Sequence, residues 1–245
     1  MKGLIASLAG AFVVACSGCG GGGGDEAPGT PADSPPVKDV RVVVIDCEGD
    51  STMWGMAKDD QGRAYQTARS APVVLQEALR LRVDGTVVVN NHGVPSASIG
   101  DSLSGNNEFY SAPWDSRLSA SNAHIVIENY GLNDMKTVTP DQFYSNLAQW
   151  VHRVRVAGKI PVLEEPNPIT RPGLPDVEPY VREIGRVASD YNVPLVKQYD
   201  YIKSLPNWQA MLPDGVHPSD ALYEIKAKRV AEVVTPIIYS LIPQP

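Results

Sequence analysis

Cysteine is almost missing from this chain: there are three in 245 residues, Cys16, Cys19 and Cys47. Only Cys47 lies in the part with a globular composition. A disulfide framework is therefore excluded, and an apolar core must hold the fold. Cys47 itself stands at a predicted strand end and reads as a small buried hydrophobe. Basic charge is also scarce. The 21 Lys and Arg are outnumbered by 28 Asp and Glu, for a net charge of −7, and they form no stripe. Binding to nucleic acid needs clustered cations on phosphates, so it is excluded as a function class. Histidine is rare as well: of the four, His92, His124 and His152 lack metal-ligand spacing to one another or to cysteine, so no metal site is expected. Long apolar runs are lacking too. Leu4–Ala15 is too short to be a comfortable membrane span.

That run does have the size of a signal-peptide core, and Lys2 supplies the positive region before it. It ends in Val13-Val14-Ala15-Cys16, which resembles a bacterial lipobox, in which the cysteine is lipidated and becomes the new N-terminus. Cys19 is a second candidate, but the Val-Val-Ala context favours Cys16. The alternative is an ordinary cleaved signal peptide with incidental cysteines. From Cys16 to about Val37 the chain is rich in Gly, then in Pro, Ala and Ser, and cannot bury apolar surface. The expected organisation is a lipoprotein signal peptide over 1–15, a flexible tether over 16–38 and one globular domain over 39–245. The location this implies is the bacterial cell envelope, facing the periplasm or the exterior. Membrane contact is expected only through the lipid on Cys16, and stable anchoring takes more than one acyl chain.

From Asp39 onward strand and helix patterns alternate. Arg41–Asp46, Thr86–Asn91, His124–Tyr130, Ile160–Glu164 and Pro194–Gln198 are short and rich in Val, Ile or Leu, without clean polar alternation. Strands buried on both faces read this way. Helical spacing of apolar residues predicts helices over Pro72–Arg82, with Ser70 as cap, and over Asp141–Ala157, Val177–Tyr191 and Ala221–Leu241. Pro236 is expected to kink or interrupt the last of these. Five strands alternating with helices imply a parallel α/β sheet covered on both faces, most simply in the order 2-1-3-4-5.

With the strands placed, the polar clusters fall at one kind of position. Gly49-Asp50-Ser51 follows the first strand, and Asn91 to Ser96 follows the second. Gly131-Leu132-Asn133-Asp134 follows the third, and Asp214-Gly215-Val216-His217 precedes the last helix. In a parallel sheet these converge on the edge where ligands bind. A serine hydroxyl is a weak nucleophile until a base accepts its proton, and His217 can serve as that base. Asp214, three residues earlier, can receive the second imidazole proton and fix the tautomer. The Ser51 N–H, a backbone N–H of the second loop and the Asn133 amide can stabilise a tetrahedral oxyanion.

These blocks resemble the SGNH hydrolase superfamily, also called GDSL esterases, over about Asp39 to Ile242. The serine block is Gly49-Asp50-Ser51, the Asn block Gly131-Leu132-Asn133-Asp134 and the Asp-x-x-His block Asp214-Gly215-Val216-His217. The resemblance implies a three-layer α/β/α sandwich of flavodoxin-like type. It also implies ester hydrolysis through an acyl-serine, without metal or organic cofactor. The catalytic residues are then Ser51, Asp214 and His217, and the oxyanion donors Ser51, Ser96 and Asn133. The second block departs from the family's pattern. Alignment on Asn91 puts Ser96 where a glycine is usual, and Gly93 lies three residues earlier as the alternative donor.

Other candidates receive quieter readings. Asp50 is expected to bond the nearby loop backbone, and Asp134 to close a turn. His124 and His152 read as structural, whereas His92 lies where it can reach the cleft. Trp54, Trp114, Tyr130 and Trp208 read first as packing groups, with stacking on a sugar or aryl group open to one or two of them. Glu164 and Glu165 are adjacent in a strand and point to opposite faces, which argues against a glycosidase pair. No long apolar insertion reads as a lipase lid, which favours short acyl groups or an open cleft. The expected activity is hydrolysis of carboxylic esters, acetyl or other short acyl, on a small-molecule or glycan substrate. The alternatives are an acyltransferase acting on a sugar hydroxyl, and a non-catalytic envelope lipoprotein.

Overall fold

The computed structural model describes residues 42–83 and 86–242. The signal segment, Cys16 and the tether lie outside the described residues. The chain runs β1 (Val42–Gly49), a one-turn helix α1 (Ser51–Trp54), a hairpin of β2 (Met56–Lys58) and β3 (Ala64–Gln66), and α2 (Ala71–Arg80). It continues through β4 (Thr86–Gly93), α3 (Ile99–Ser104), α4 (Trp114–Ala120), β5 (Ile125–Asn129), α5 (Pro140–Val156) and β6 (Ile160–Glu164). It ends with α6 (Glu178–Asp190), β7 (Leu195–Val196), α7 (Tyr199–Ser204) and α8 (Asp220–Leu241).

Five of the strands form one parallel sheet in the order β4-β1-β5-β6-β7, the 2-1-3-4-5 arrangement expected from the alternation. The pleat sorts the core into two layers. Val43, Ile45, Ile127 and Val162 face α2 and α8, while Val44, Val126 and Leu163 face α5 and α6. Both faces are covered, which is why the strands show no polar alternation. The fold is a three-layer α/β/α sandwich. Among the described residues no helix is long and apolar enough to cross a membrane.

Several boundaries differ from expectation, each for a local reason. β1 and β4 run on to Gly49 and Gly93, because those residues still pair in register with each other. His92 and Gly93 are therefore strand residues rather than loop residues. β7 stops at Val196, because the N–H groups of Gln198 and Tyr199 turn to the Glu165 carboxylate, at 2.9 and 3.0 Å, instead of a strand partner. Ser70 occupies the cap position of α2, yet its buried hydroxyl makes no hydrogen bond. The first turn relies on its proline instead. α8 continues through Pro236 without interruption. The short helices α1, α3, α4 and α7 and the β2–β3 hairpin had no periodic signature.

Candidate active site

The site starts from the way β1 ends. Gly49 has no room for a side chain: a Cβ there would sit 2.7 Å from Met53 Cβ and 2.8 Å from the Asn129 carbonyl. Next, Asp50 caps α1. Its Oδ1 accepts from Thr52 N at 2.8 Å, with the Thr52 hydroxyl at 2.9 Å. Ser51 thus stands at the first helical position, where its N–H has no intrahelical partner. The same Thr52 hydroxyl lies 3.0 Å from Asn129 Oδ1, and Asn129 in turn donates to the Glu164 and Glu165 carbonyls. Beneath them Lys226, 1% exposed, is 3.4 Å from Asn129 Oδ1 and 3.5 Å from the Glu164 carboxylate. Burial pushes the Asp50 and Glu164 carboxyls up, and the Lys226 charge acts against this.

The fourth cluster meets the first. Ser51 Oγ is 2.9 Å from His217 Nε2, and His217 Nδ1 is 2.8 Å from Asp214 Oδ2. With a carboxylate facing Nδ1, that nitrogen carries the proton, and Nε2 presents its lone pair to the serine. The other oxygen, Asp214 Oδ1, accepts from the backbone N–H groups of His217 and Val216 at 2.8 and 3.0 Å. Two cations reach the same carboxylate: Arg171 Nη2 at 2.8 Å and Lys58 Nζ at 3.2 Å, both on Oδ2. Arg171 Nε also donates to the Asp214 carbonyl at 2.9 Å. The Thr170 and Arg171 N–H groups bond the Gly215 carbonyl at 2.8 and 3.1 Å, so the loop after β6 clamps the histidine loop. Partial burial raises the Asp214 pKa, but the bonds from His217 reverse this and hold the carboxyl far below the usual range.

The second and third clusters are tied to the first. Val94 N–H donates to the Gly49 carbonyl at 2.8 Å, and Asn133 Nδ2 donates to the Ala97 carbonyl at 3.1 Å. Asp134 accepts from Ile99 and Gly131 N–H, each at 3.1 Å, closing its own turn and tying it to α3. Burial outweighs those two bonds and pushes the Asp134 pKa up to about 7. Between the two candidate donors of the second loop there is a clear difference. The Gly93 N–H is engaged by Asn91 Oδ1 at 3.0 Å, and a Cβ at Gly93 would fall 2.2 Å from Trp54 N. Gly93 is thus a close-packing glycine. Ser96 is exposed, has φ of +71°, and its N–H has no hydrogen-bond partner among the described residues. The positive φ is the conformation for which a glycine is the usual choice.

The remaining candidates go elsewhere. His92 lies 3.3 Å from Asp46, away from the triad residues, and His124 Nδ1 accepts from Val44 N–H at 3.1 Å. Trp114 and Tyr130 are core residues, and Trp208 packs with Ile202 and Leu222. Glu164 is buried against Lys226 and Gln198, and Glu165 holds the β7–α7 turn, so neither offers an acid to the cleft. Arg171 and Lys58 carried no sequence signal. Nothing in a Pro-rich loop or a three-residue strand says that its cation will reach a carboxylate on a distant loop.

A model of the GDSL-like lipase/acylhydrolase family matches residues 47–225. A comparison with curated proteins finds no match. Among solved structures, the lipase/acylhydrolase from Enterococcus faecalis superposes with a TM-score of 0.64 at 20% identity, covering 80% of this chain and 96% of that one. The inhibitor-bound aryl esterase of M. smegmatis gives 0.61 at 18% identity, covering 82% and 100%. A carbohydrate acetylesterase from Sinorhizobium meliloti gives 0.61 at 15% identity, covering 80% and 99%. With four loops gathered at one sheet edge and the family model spanning all four of them, this chain belongs to the GDSL-like lipase/acylhydrolase family.

Proposed function

We propose that this ester hydrolase works through an acyl-serine on Ser51 and acts on acetyl or other short-chain carboxylic esters. The supporting observation is the continuous relay from Ser51 Oγ through His217 to Asp214, at 2.9 and 2.8 Å. Ser51 attacks the ester carbonyl while His217 Nε2 takes its proton. The oxyanion is received by the N–H groups of Ser51 and Ser96 and by the second hydrogen of the Asn133 amide. The ester C–O bond breaks, the electron pair leaves with the alcohol oxygen, and His217 returns the proton to it. A water molecule then gives a proton to His217 and adds to the acyl carbon; the bond from the acyl carbon to Ser51 Oγ breaks, His217 returns the proton to Oγ, and the acid is released with Ser51 regenerated. Asp214 holds the ring and balances the imidazolium that forms in each half-reaction. Short acyl groups are favoured because the described loops around Ser51 include no long apolar insertion.

The test is direct. Ser51→Ala should keep the fold, abolish turnover of p-nitrophenyl acetate and lose labelling by a fluorophosphonate probe. A variant that retains wild-type turnover removes Ser51 from the mechanism. For the N-terminus, the reading is export and lipid attachment at Cys16, supported by the Val13-Val14-Ala15-Cys16 motif. Mass spectrometry of the mature N-terminus, with Cys16→Ala as the control, checks it: an unmodified residue 16 would refute the anchor.

A further inference from the structure

Two of the oxyanion donors sit on different loops, so their spacing depends on what links those loops. Ser96 lies between β4 and α3, and Asn133 lies after β5. Two adjacent side chains cross from the second loop to the first. Asn133 Nδ2 donates to the Ala97 carbonyl at 3.1 Å, and Asp134 Oδ1 accepts from Ile99 N–H at 3.1 Å. Ala97 and Ile99 stand on either side of Ser98, the cap of α3. Asp134 Oδ2 turns back to its own loop and accepts from Gly131 N–H at 3.1 Å. The other end of the Asn133 amide is held as well, with Lys136 Nζ 3.0 Å from Oδ1.

Asp134 is 1% exposed, and the titratable groups that face it are Asp50, Glu128 and Tyr180, none of them a cation. Backbone N–H groups therefore hold its charge. As a carboxylate it accepts with both oxygens and ties both loops. Once protonated, one oxygen becomes a donor, which faces an N–H that is also a donor, and one tie is lost.

We propose that Asp134 is a positioning residue of the oxyanion hole: its carboxylate, shared between Gly131 and Ile99, sets the spacing between the Ser96 N–H and the Asn133 amide. This rests on the acyl-serine reading above. Buried as it is, Asp134 acts through those two donors and not on the substrate. The working form is the charged one, and burial pushes its pKa up to about 7. The hole is then assembled above that pH and loosened below it. The oxyanion exists only in the transition state and the intermediate, so a misplaced donor lowers kcat and leaves KM nearly alone.

The test compares the full-length wild type with full-length Asp134→Asn on p-nitrophenyl acetate across pH. The amide keeps the shape of the carboxyl but cannot accept on both sides. The titration of His217 is common to both proteins and cancels in the ratio of their kcat values. That ratio should fall from about thirtyfold at pH ~8.5 to about twofold at pH ~5.5, as the wild type loses the same carboxylate. KM should stay within about twofold. A ratio that is the same at every pH overturns the proposal, as does a loss carried by KM. If Asp134→Asn does not fold, the wild type decides: in an NMR titration the Gly131 and Ile99 amide protons and the Asn133 side-chain amide should shift together, with one midpoint near pH ~7. Separate midpoints, or none, overturn it. Wild-type turnover in Ser51→Ala removes the acyl-serine reading and this proposal with it; a pH-independent ratio with Ser51→Ala inert removes this proposal alone.

Discussion

Ser51 and His217 meet at 2.9 Å, yet the two sides of that contact are built differently. On the serine side the constraints are steric and buried. Gly49 and Gly93 touch neighbouring backbone, Thr52 and Asn129 are 1% exposed, and the ammonium of Lys226 is sealed under the sheet edge. On the histidine side the constraints are electrostatic and wet. Arg171 and Lys58, with side chains 37% and 35% exposed, converge on the carboxylate that orients the imidazole. Buried groups are insulated from salt, whereas exposed pairs are screened within about 8–10 Å at ordinary ionic strength. The nucleophile is thus placed by packing, and its base by charge added to the backbone bonds that clamp the Gly215 carbonyl.

The severest way to break this contrast is to remove the charge that everything on the histidine side addresses. Asp214→Asn should cost up to about 10⁴ in turnover, by analogy with other triads. The sign of its pH dependence follows from the depressed pKa. The native carboxylate adds stability above its unfolded pKa near ~3.9, and that contribution is lost as pH falls through the lower folded value. The stability difference between wild type and variant should therefore be flat above about pH 5 and shrink below it, read in urea melts across pH. A turnover deficit that vanishes at high pH would show that Asp214 does not set the tautomer.

On the serine side, Gly49→Ala should be the more damaging change to the fold. The new methyl would press on Met53 and on the Asn129 carbonyl, at a cost of about 3 kcal/mol in a urea melt. An unchanged midpoint would mean that the β1–α1 turn relaxes freely and is not placed by packing. Thr52→Val is gentler. It keeps the shape and removes the hydroxyl shared by Asp50 and Asn129, for a loss of about 1 kcal/mol. Both melts should be insensitive to salt.

Much of this was legible before any coordinates. Val42 to Ile45 and Ile125 to Ile127 announce buried strands because a doubly covered sheet has no polar face, and strand–helix alternation points to the 2-1-3-4-5 order. Ser51, Asn133 and His217 stood out because each follows a strand or precedes a helix at the same sheet edge. What stayed hidden was of two kinds. The β2–β3 hairpin and α1 are too short to show a period, so they had no signature. Arg171 and Lys58 act through contacts made only once the loops are assembled, and a single cation in a polar loop looks like any solvated one. The burial of Glu164 escaped notice for the same reason, since its partners Lys226 and Gln198 come from later elements.

The finest test bears on Arg171. Arg171→Met keeps much of the apolar stem and removes the guanidinium from Asp214, while Lys58 remains at 3.2 Å. A half-exposed pair of this kind contributes up to about 1 kcal/mol, so turnover of p-nitrophenyl acetate should fall by no more than about fivefold. The informative reading is the salt series. In the wild type, raising sodium chloride from 0.05 to 0.5 M, roughly a threefold shortening of the screening length, should erode turnover toward the variant's level. In Arg171→Met the same series should be nearly flat, and the melting midpoint should differ little from wild type in either salt. Parallel salt profiles for the two proteins would mean that the guanidinium contributes its hydrogen bond to the Asp214 carbonyl and no field, and that the base, like the nucleophile, is placed by contact alone.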